Sequence, residues 1–455
     1  MGRIEKAKNI HLIGIGGCSM SGIARILAAQ GYQVSGSDRE PTQFTRTLDA
    51  CGIPYHIGQK AENVEGADLV IYSAAIKETN PERAAAAERG IPQMERSEAL
   101  GEISGHYAEV VAVAGCHGKT TITSMLALIS RVAGLDATVH VGGYVDFLDG
   151  GVEIGGEGLF ITEACEYVES FLTLRPTIAL VSNIDNDHLD YYRDIDAIED
   201  AFRKFLGLLP ESGTVVACAE DERVMRIAQE SGKRVRTYGL GRGEFSAERI
   251  AFDEKGSGSF DLVRNGIVLG RVSLSVPGTH SILNAVGAYA VADLLGVDFE
   301  KYRTAMEAFS NTRRRFEFYG ERNGVRIFHD YGHHPSEIAA TMEAASHVPH
   351  GKLYCVFQCN SYTRAKTLFT GTVRCFEKAD AVLVPDIYPG RETDDGTVHA
   401  RDMVDAINRT TGNAVYLGTF EAIRTYLDEH AQPGDMVVTV GSGDVYRQTG
   451  KLLEK

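Results

Sequence analysis

Val110-Val-Ala-Val-Ala runs unbroken by any polar residue into Gly115-Cys-His-Gly118-Lys119-Thr-Thr121, after which apolar residues recur at Ile122, Met125, Leu126 and Ile129. The continuous apolar run reads as a buried strand, the 3.6-residue spacing as a helix packed on its sheet, and the glycines as the turn between them. A chain built this way is committed to α/β layers, with a mostly parallel sheet and helices crossing its faces. The turn also carries chemistry. Its backbone amides can cradle phosphates, a lysine after glycine reaches the β and γ phosphates of a nucleotide, and the next hydroxyl ligates Mg2+. It is not a full Walker A motif, whose first glycine would fall at position 113, here Val.

The same unit opens the chain. Asn9-Ile-His-Leu-Ile reads as a strand, Gly14-Ile-Gly16-Gly17-Cys-Ser19-Met20-Ser21-Gly22 as a glycine turn, Ser21 to Gln30 as a helix, and a second strand ends at Asp38. Amides and the helix N-terminus there can hold a pyrophosphate. The third glycine comes too late for Gly-x-Gly-x-x-Gly, which favours a diphosphate other than a nicotinamide cofactor. Two nucleotide-type loops in different domains favour a ligase or kinase over a dehydrogenase.

Beyond these loops, Asp68 to Ile76 reads as a strand, Pro81 to Glu88 and Arg96 to Ile103 as helices, and Gly101 to Glu109 as a linker. Strands follow at Leu159 to Thr162, Ile178 to Ser182 and Thr214 to Cys218, antiparallel hairpins over Phe245 to Val276, and a helix from about His280 to Leu295. The last block alternates strands at Val325 to Phe328, Leu353 to Phe357, Ala381 to Pro385 and Met436 to Val440 with helices at Pro335 to Ala345, Ala400 to Ile407 and Phe420 to His430. A length of 455 residues suits about three domains. The reading is three consecutive α/β domains: residues 1–106, Rossmann-like; 107–313, P-loop ATPase-like with an added antiparallel β segment; and 314–455, Rossmann-like again.

Charge and cysteine content bound the partners. The 62 acidic against 46 basic side chains leave a formal charge of -16, which excludes general affinity for nucleic acid or anionic membrane. No apolar stretch reaches spanning length. The eight cysteines are scattered without Cys-x-x-Cys spacing, as expected of free thiols in a reducing cytoplasm.

Taken together, His11-Leu-Ile-Gly-Ile-Gly-Gly with Met20-Ser-Gly, Gly115 to Thr121, Glu163-Ala-Cys-Glu166 with Ser170-Phe-Leu, Asn183-Ile-Asp-Asn-Asp-His188-Leu-Asp, Arg314-Arg315-Phe-Glu, Asp330-Tyr-Gly-His-His-Pro335, Asp386-Ile-Tyr-Pro389 and Gly441-Ser-Gly-Asp444 resemble the Mur ligases along essentially the whole chain. The resemblance implies a cytoplasmic, ATP-dependent ligase that phosphorylates the lactyl carboxylate of UDP-N-acetylmuramate and then joins it to L-alanine. It implies Mg2+, with Mn2+ able to substitute, and a monomer or homodimer. It places UDP-sugar contacts at Gly14, Gly16, Gly17, Ser19, Met20, Ser21, Asp38 and Ser73. ATP contacts fall at Gly115, Cys116, His117, Gly118, Lys119, Thr120, Thr121, Asn284 and Arg315, and metal ligands at Thr120, Glu166 and His188. Amino-acid contacts fall at Tyr331, His333 and Arg364, and the catalytic set is Lys119, Glu166, His188 and His333. ATP and UDP-N-acetylmuramate are both polyanions, so Lys119, Arg313 to Arg315, Arg364 and the metal must supply local positive charge.

Departures from the family pattern include Cys116 for Thr, and Cys165, Tyr167 and Val168 beside Glu166. The largest is Gln358-Cys-Asn360-Ser361-Tyr-Thr-Arg364, where Pro-His-Arg or Pro-His-Thr is usual. Three alternatives stay open: a ligase for a preformed peptide on the same sugar nucleotide, a nicotinamide-dependent oxidoreductase resting on the first loop alone, and a non-catalytic homologue. The last predicts decay around Lys119, which the sequence does not show.

Overall fold

Short runs of β-branched and apolar residues form the centre of each sheet, and the polar segments beside them form the edges. These elements are seen in a computed structural model describing residues 2–189, 191–254, 256–310, 314–390 and 392–454. Asp190 and Asn311 to Arg313, including the expected boundary at 313 and one arginine of the basic triplet, lie outside the described residues.

The chain divides into two units, the first comprising Met1–Ser246 with Arg264–Gly266 and Asn284–Ala305. It holds two sheets. Strands β1 (Asn9–Ile13), β2 (Gln33–Asp38), β3 (Tyr55–Ile57), β4 (Leu69–Tyr72) and β5 (Gln93–Glu95) form a parallel sheet in the order β3-β2-β1-β4-β5. The chain reverses direction of build beside β1, the position at which doubly wound sheets open a ligand crevice. The second sheet contains β6 (Glu109–Ala114), β7 (Ala137–Val145), β8 (Gly150–Glu153), β9 (Leu159–Ala164), β10 (Ile178–Val181), β11 (Thr214–Cys218) and β12 (Arg234–Leu240), ordered β12-β11-β10-β6-β9-β7-β8. Only β8 in this run is antiparallel to its neighbour.

The first helix spans Cys18–Ala29, beginning three residues before the expected start because Gly17 supplies an extended N-cap (φ -74°, ψ 150°). This helix packs on the second sheet. A Cβ on Gly22 would lie 3.0 Å from His140 Cδ2 and 3.7 Å from Val152 Cβ. The glycine that comes too late for a dinucleotide fingerprint therefore serves close approach of helix to β7 and β8. The expected linker is shorter than read, since the helix Arg96–Ser104 takes its first four residues and β6 begins at Glu109.

The second unit comprises Ala247–Val263, Ile267–Leu283 and Met306–Lys455. The expected hairpins appear as β13 (Phe245–Phe252), β14 (Ser257–Arg264) and β15 (Ile267–Pro277). Asn265 and Gly266 join the last two with φ of 49° and 78°, the two left-handed residues of a type I′ turn. The third sheet holds β16 (Glu317–Arg322), β17 (Val325–Asp330), β18 (Leu353–Phe357), β19 (Ala381–Pro385), β20 (Ala414–Gly418) and β21 (Met436–Val440), ordered β16-β17-β21-β18-β19-β20 with β16 antiparallel. All three sheets are covered by helices, the α/β layering expected.

Candidate active site

The turn after β6 is possible only with glycine at two positions. Gly115 has φ +134° and Gly118 φ +88°, and a Cβ on Gly115 would lie 2.0 Å from Ser182 Oγ. The segment following β10 holds the turn from outside. The His117 amide donates to Asn183 Oδ1 (2.8 Å), and the His117 carbonyl accepts from Asn183 Nδ2 (2.9 Å) and Ser182 Oγ (2.7 Å). The His117 ring sits 3.1 Å from Asp185. Asn284 stands over the turn, its Oδ1 2.8 Å from where a Gly118 Cβ would be.

Gly118 caps the helix Lys119–Ala133. In its first turn Lys119 Nζ donates to the Gly115 carbonyl (2.5 Å) and to Glu166 Oε2 (2.8 Å). Burial opposes the charge on Lys119, but the Glu166 carboxylate more than offsets it and holds the amine above its ordinary range. Thr121 is half-buried in the same turn. Thr120 Oγ1 donates to Glu163 Oε2 (3.1 Å), whose other oxygen accepts from the Gly142 amide (2.6 Å).

Glu166 follows β9, and only 1% of its side chain is exposed. His188 Nε2 lies 3.7 Å from Glu166 Oε1 and 3.7 Å from Asp187 Oδ2, and the His188 amide donates to Asp187 Oδ1 (2.7 Å). Glu166, Asp187 and His188 each offer a ligand atom within 4.8 Å of the others. Two carboxylates and an imidazole, most of them buried, suit a hard divalent cation completed by water and phosphate oxygens. The structure thus brings Glu166 and His188 together with Lys119, while the Thr120 hydroxyl is engaged by Glu163. Asp187 and Glu163 were missed as functional candidates although both stand inside quoted motifs. Neither acid's spacing alone separates it from a solvated one.

The first glycine loop is closed by its own sheet. The Gly14 and Ile15 amides both donate to the Ser37 carbonyl, and Asp38 Oδ2 accepts from the Gly16 amide (2.9 Å). Gly17 N–H returns to the Gly14 carbonyl, and Ser73 lies 3.6 Å from a Gly14 Cβ position. Asp38 therefore braces the loop itself. Met20 is 2% exposed, and Ser21 donates to the Cys18 carbonyl. Ser19 Oγ lies 3.0 Å from His140 Nε2 and 3.4 Å from Arg96 Nη1.

His140 on β7 also meets Thr162 Oγ1 (3.2 Å), which donates onward to the Glu163 carbonyl. Burial, aided by Arg96, pushes His140 down to about 4. Burial and Arg314 likewise push His329 on β17 down to about 3. Unfolded histidines protonate near 6.5, so between that value and the folded pKa the unfolded chain binds more protons and stability falls as pH falls. Acidification from pH 7 to 5 is expected to cost about 2 kcal/mol for each of the two. Urea unfolding across that range checks this, and His140→Gln should lower the slope of stability against pH by roughly one proton.

In the third sheet, the parallel strands β17, β18, β19 and β21 send their loops to one edge. Tyr331 and His333 follow β17, and Arg364 follows β18. The His333 ring packs edge-on to Tyr331 (5.4 Å), its Nδ1 lies 3.2 Å from the Tyr331 carbonyl, and its amide donates to Glu337. His334 Nδ1 accepts from the Ser336 amide as cap of the helix Pro335–His347, and the His334 amide, like that of His333, donates to Glu337 Oε2 (3.3 Å). Arg315 pairs with Glu337 (3.5 Å), and the Arg314 guanidinium stacks on Tyr331 (4.4 Å) and Tyr446 (4.2 Å). The residues that depart most from the family pattern are structural ties. Asn360 Nδ2 donates to Ser442 Oγ (2.6 Å), and Ser361 Oγ accepts from the Arg364 amide, capping the short helix Tyr362–Thr367.

All eight cysteines are free, and Cys51 is the exposed one. Burial pushes Cys18 and Cys359 up to about 12 and Cys218 and Cys375 to about 11, and raises Cys116, Cys165 and Cys355 as well. The Cys116 thiol donates to the Asp185 carbonyl, so the residue in the phosphate turn is a buried, protonated thiol.

Among the described residues no helix is long and apolar enough to cross a membrane. The family description "Mur ligase family, catalytic domain" matches residues 9–108, "Mur ligase middle domain" 113–292 and "Mur ligase, glutamate ligase domain" 314–443. Proteins named UDP-N-acetylmuramate--L-alanine ligase are 44% identical over 99% of this chain in Caldanaerobacter subterraneus subsp. tengcongensis (98% of that protein) and in Acetivibrio thermocellus (96%). Among solved structures, the UDP-N-acetylmuramate-alanine ligase of Thermotoga maritima superposes with a TM-score of 0.80 at 26% identity over 98% of both chains. A murein peptide ligase from Psychrobacter arcticus shares the fold, with a TM-score of 0.70 at 24% identity over 98% of both chains. With all three family segments present in order and relatives matched nearly end to end, the chain belongs to the Mur ligase family.

Proposed function

We propose that the chain is a cytoplasmic, ATP-dependent ligase joining L-alanine to the lactyl carboxylate of UDP-N-acetylmuramate in peptidoglycan precursor synthesis. The observation that carries this reading is the meeting of Lys119 with Glu166 and His188 beneath a phosphate-type turn. Residues 1–106 hold the UDP-sugar through Gly14 to Ser21, Asp38 and Ser73. Residues 107–313 hold ATP through Gly115 to Thr121 and Asn284, and residues 314–455 hold the amino acid through Tyr331, His333 and Arg364.

A carboxylate is a poor acyl donor. Its oxygen attacks the γ-phosphorus, ADP leaves, and the resulting acyl phosphate is attacked at carbon by the alanine amine, with phosphate departing as the amide forms. The chain's part is positioning and charge neutralisation. Lys119 neutralises the phosphates, and the turn amides fix their oxygens. Glu166, His188 and Thr120 would hold Mg2+, or Mn2+ in its place, which when bound supplies charge stabilisation to the transferring phosphoryl group. The exposed-acid excess of the chain is thereby countered locally.

Purified protein with UDP-N-acetylmuramate, ATP and Mg2+ is expected to release phosphate on addition of L-alanine, and much less with glycine, L-serine or the preformed tripeptide that a peptide ligase would take. Chelation should stop release and Mg2+ or Mn2+ restore it. Absence of release with every amino acid and peptide would overturn the ligase reading, and release with the tripeptide alone would reassign the acceptor.

A further inference from the structure

The segment after β9 carries apolar side chains to the surface where a solvated loop would carry polar ones. Tyr167 is 37% exposed and Val168 42%, and Tyr191, from the loop bearing His188, is 46% exposed. The Tyr167 ring lies 4.6 Å from the His188 ring and 6.2 Å from that of Tyr191. Val168 and Glu169 hold φ of 49° and 54°, left-handed values that are costly for a β-branched residue.

The strained geometry is fixed at both ends. Tyr192 Oη donates to the Glu166 carbonyl (2.5 Å), Glu169 pairs with Lys204 (2.7 Å), and buried Phe171 stacks on Phe205 (4.7 Å). The far end of the segment rests on the first sheet's helix Arg96–Ser104, where Thr173 Oγ1 donates to the Ser97 carbonyl (2.7 Å). Arg96, which opens that helix, reaches Ser19 in the first glycine loop. The segment therefore runs from the Lys119, Glu166 and His188 group to the helix that reaches the first loop, with the aromatic ledge at its Glu166 end.

Resting on the function proposed above, we propose that Tyr167 and Tyr191 form the seat for the pyranose ring of the sugar nucleotide. A ligand with its diphosphate on the first loop and its lactyl carboxylate at Glu166 must lay the intervening sugar across this segment. The C–H face of a pyranose packs well on a tyrosine ring. The nucleotide base of ATP is no competitor for this seat, since only the γ-phosphate end of ATP meets Glu166. Tyr167 is thus a specificity-determining residue for the sugar.

Calorimetry with UDP-N-acetylmuramate and with UDP alone tests the assignment on wild type, Tyr167→Ala, Tyr167→Phe and Tyr191→Ala. Tyr167→Ala should weaken UDP-N-acetylmuramate about fivefold to tenfold and leave UDP unchanged, while Tyr167→Phe stays within about twofold of wild type. Tyr191→Ala, on a separate loop, should show the same sugar-selective loss and stands in if Tyr167→Ala does not fold. Unchanged UDP-N-acetylmuramate binding in both alanine variants, equal loss of UDP, or a fall in kcat with no change in affinity would overturn the seat and leave the ligase reading standing. Failure of the wild type to bind UDP-N-acetylmuramate would overturn both.

Discussion

Lys119→Ala is expected to reduce phosphate release by at least about 10^3-fold, because Lys119 is the ammonium that the phosphate turn itself carries, held against Glu166 at the start of the helix. The same substitution should lower stability by about 3–5 kcal/mol, since it leaves the Glu166 carboxylate, 1% exposed, without its ammonium partner. The two effects are separable. Adding Glu166→Gln to Lys119→Ala should recover much of the stability and none of the turnover, measured by urea unfolding and by phosphate release. Affinity for the sugar nucleotide should stay within about threefold of wild type, because the partners of Lys119 are Gly115, Cys116 and Glu166 and none belongs to the first glycine loop. Equal loss of sugar binding in calorimetry would contradict that partition.

Gly115→Ala is expected to be nearly as damaging to turnover. The residue sits at φ +134°, and an added Cβ would meet Ser182 Oγ at 2.0 Å, so either the turn or the strand end behind it must move. A displacement of about 1 Å at a phosphate cradle is enough to cost about 100-fold in kcat. Gly134→Ala makes the control. It ends the same helix at φ +73° with open space around it, so only backbone strain of about 1 kcal/mol should appear, with kcat unchanged. A Gly115→Ala enzyme with wild-type kcat would show that the turn is not the phosphate cradle.

The strands that the residue pattern exposes are those with continuous apolar runs, such as Val110 to Ala114 and Ile178 to Val181, because burial on both faces leaves little room for polar residues. The strands Tyr55–Ile57, Gln93–Glu95 and Ala414–Gly418 escape such a reading because they lie at or near sheet edges, are short or partly exposed, and owe their extension to a neighbour's ladder. Strand Ala137–Val145 was likewise hidden, its pattern interrupted by His140 and Gly142-Gly143. Lys119 was legible because glycine-lysine-threonine on a strand-to-helix turn has few other uses. Glu166 and His188 needed the family resemblance, being distant in sequence and brought together only by the adjacency of β6 to β9 and β10. The role of Gly22 was invisible, because the atoms that require it belong to another sheet.

The distribution of thiols has a practical consequence. Seven of the eight are removed from reaction by burial to some degree and by raised pKa values, whereas Cys51 stands exposed just after the helix Thr45–Ala50. A maleimide fluorophore offered briefly at neutral pH should therefore settle on one native position in the first sheet's domain. The protein arrives with its own attachment point for fluorescence work on the wild-type chain, with no cysteine to remove and none to introduce.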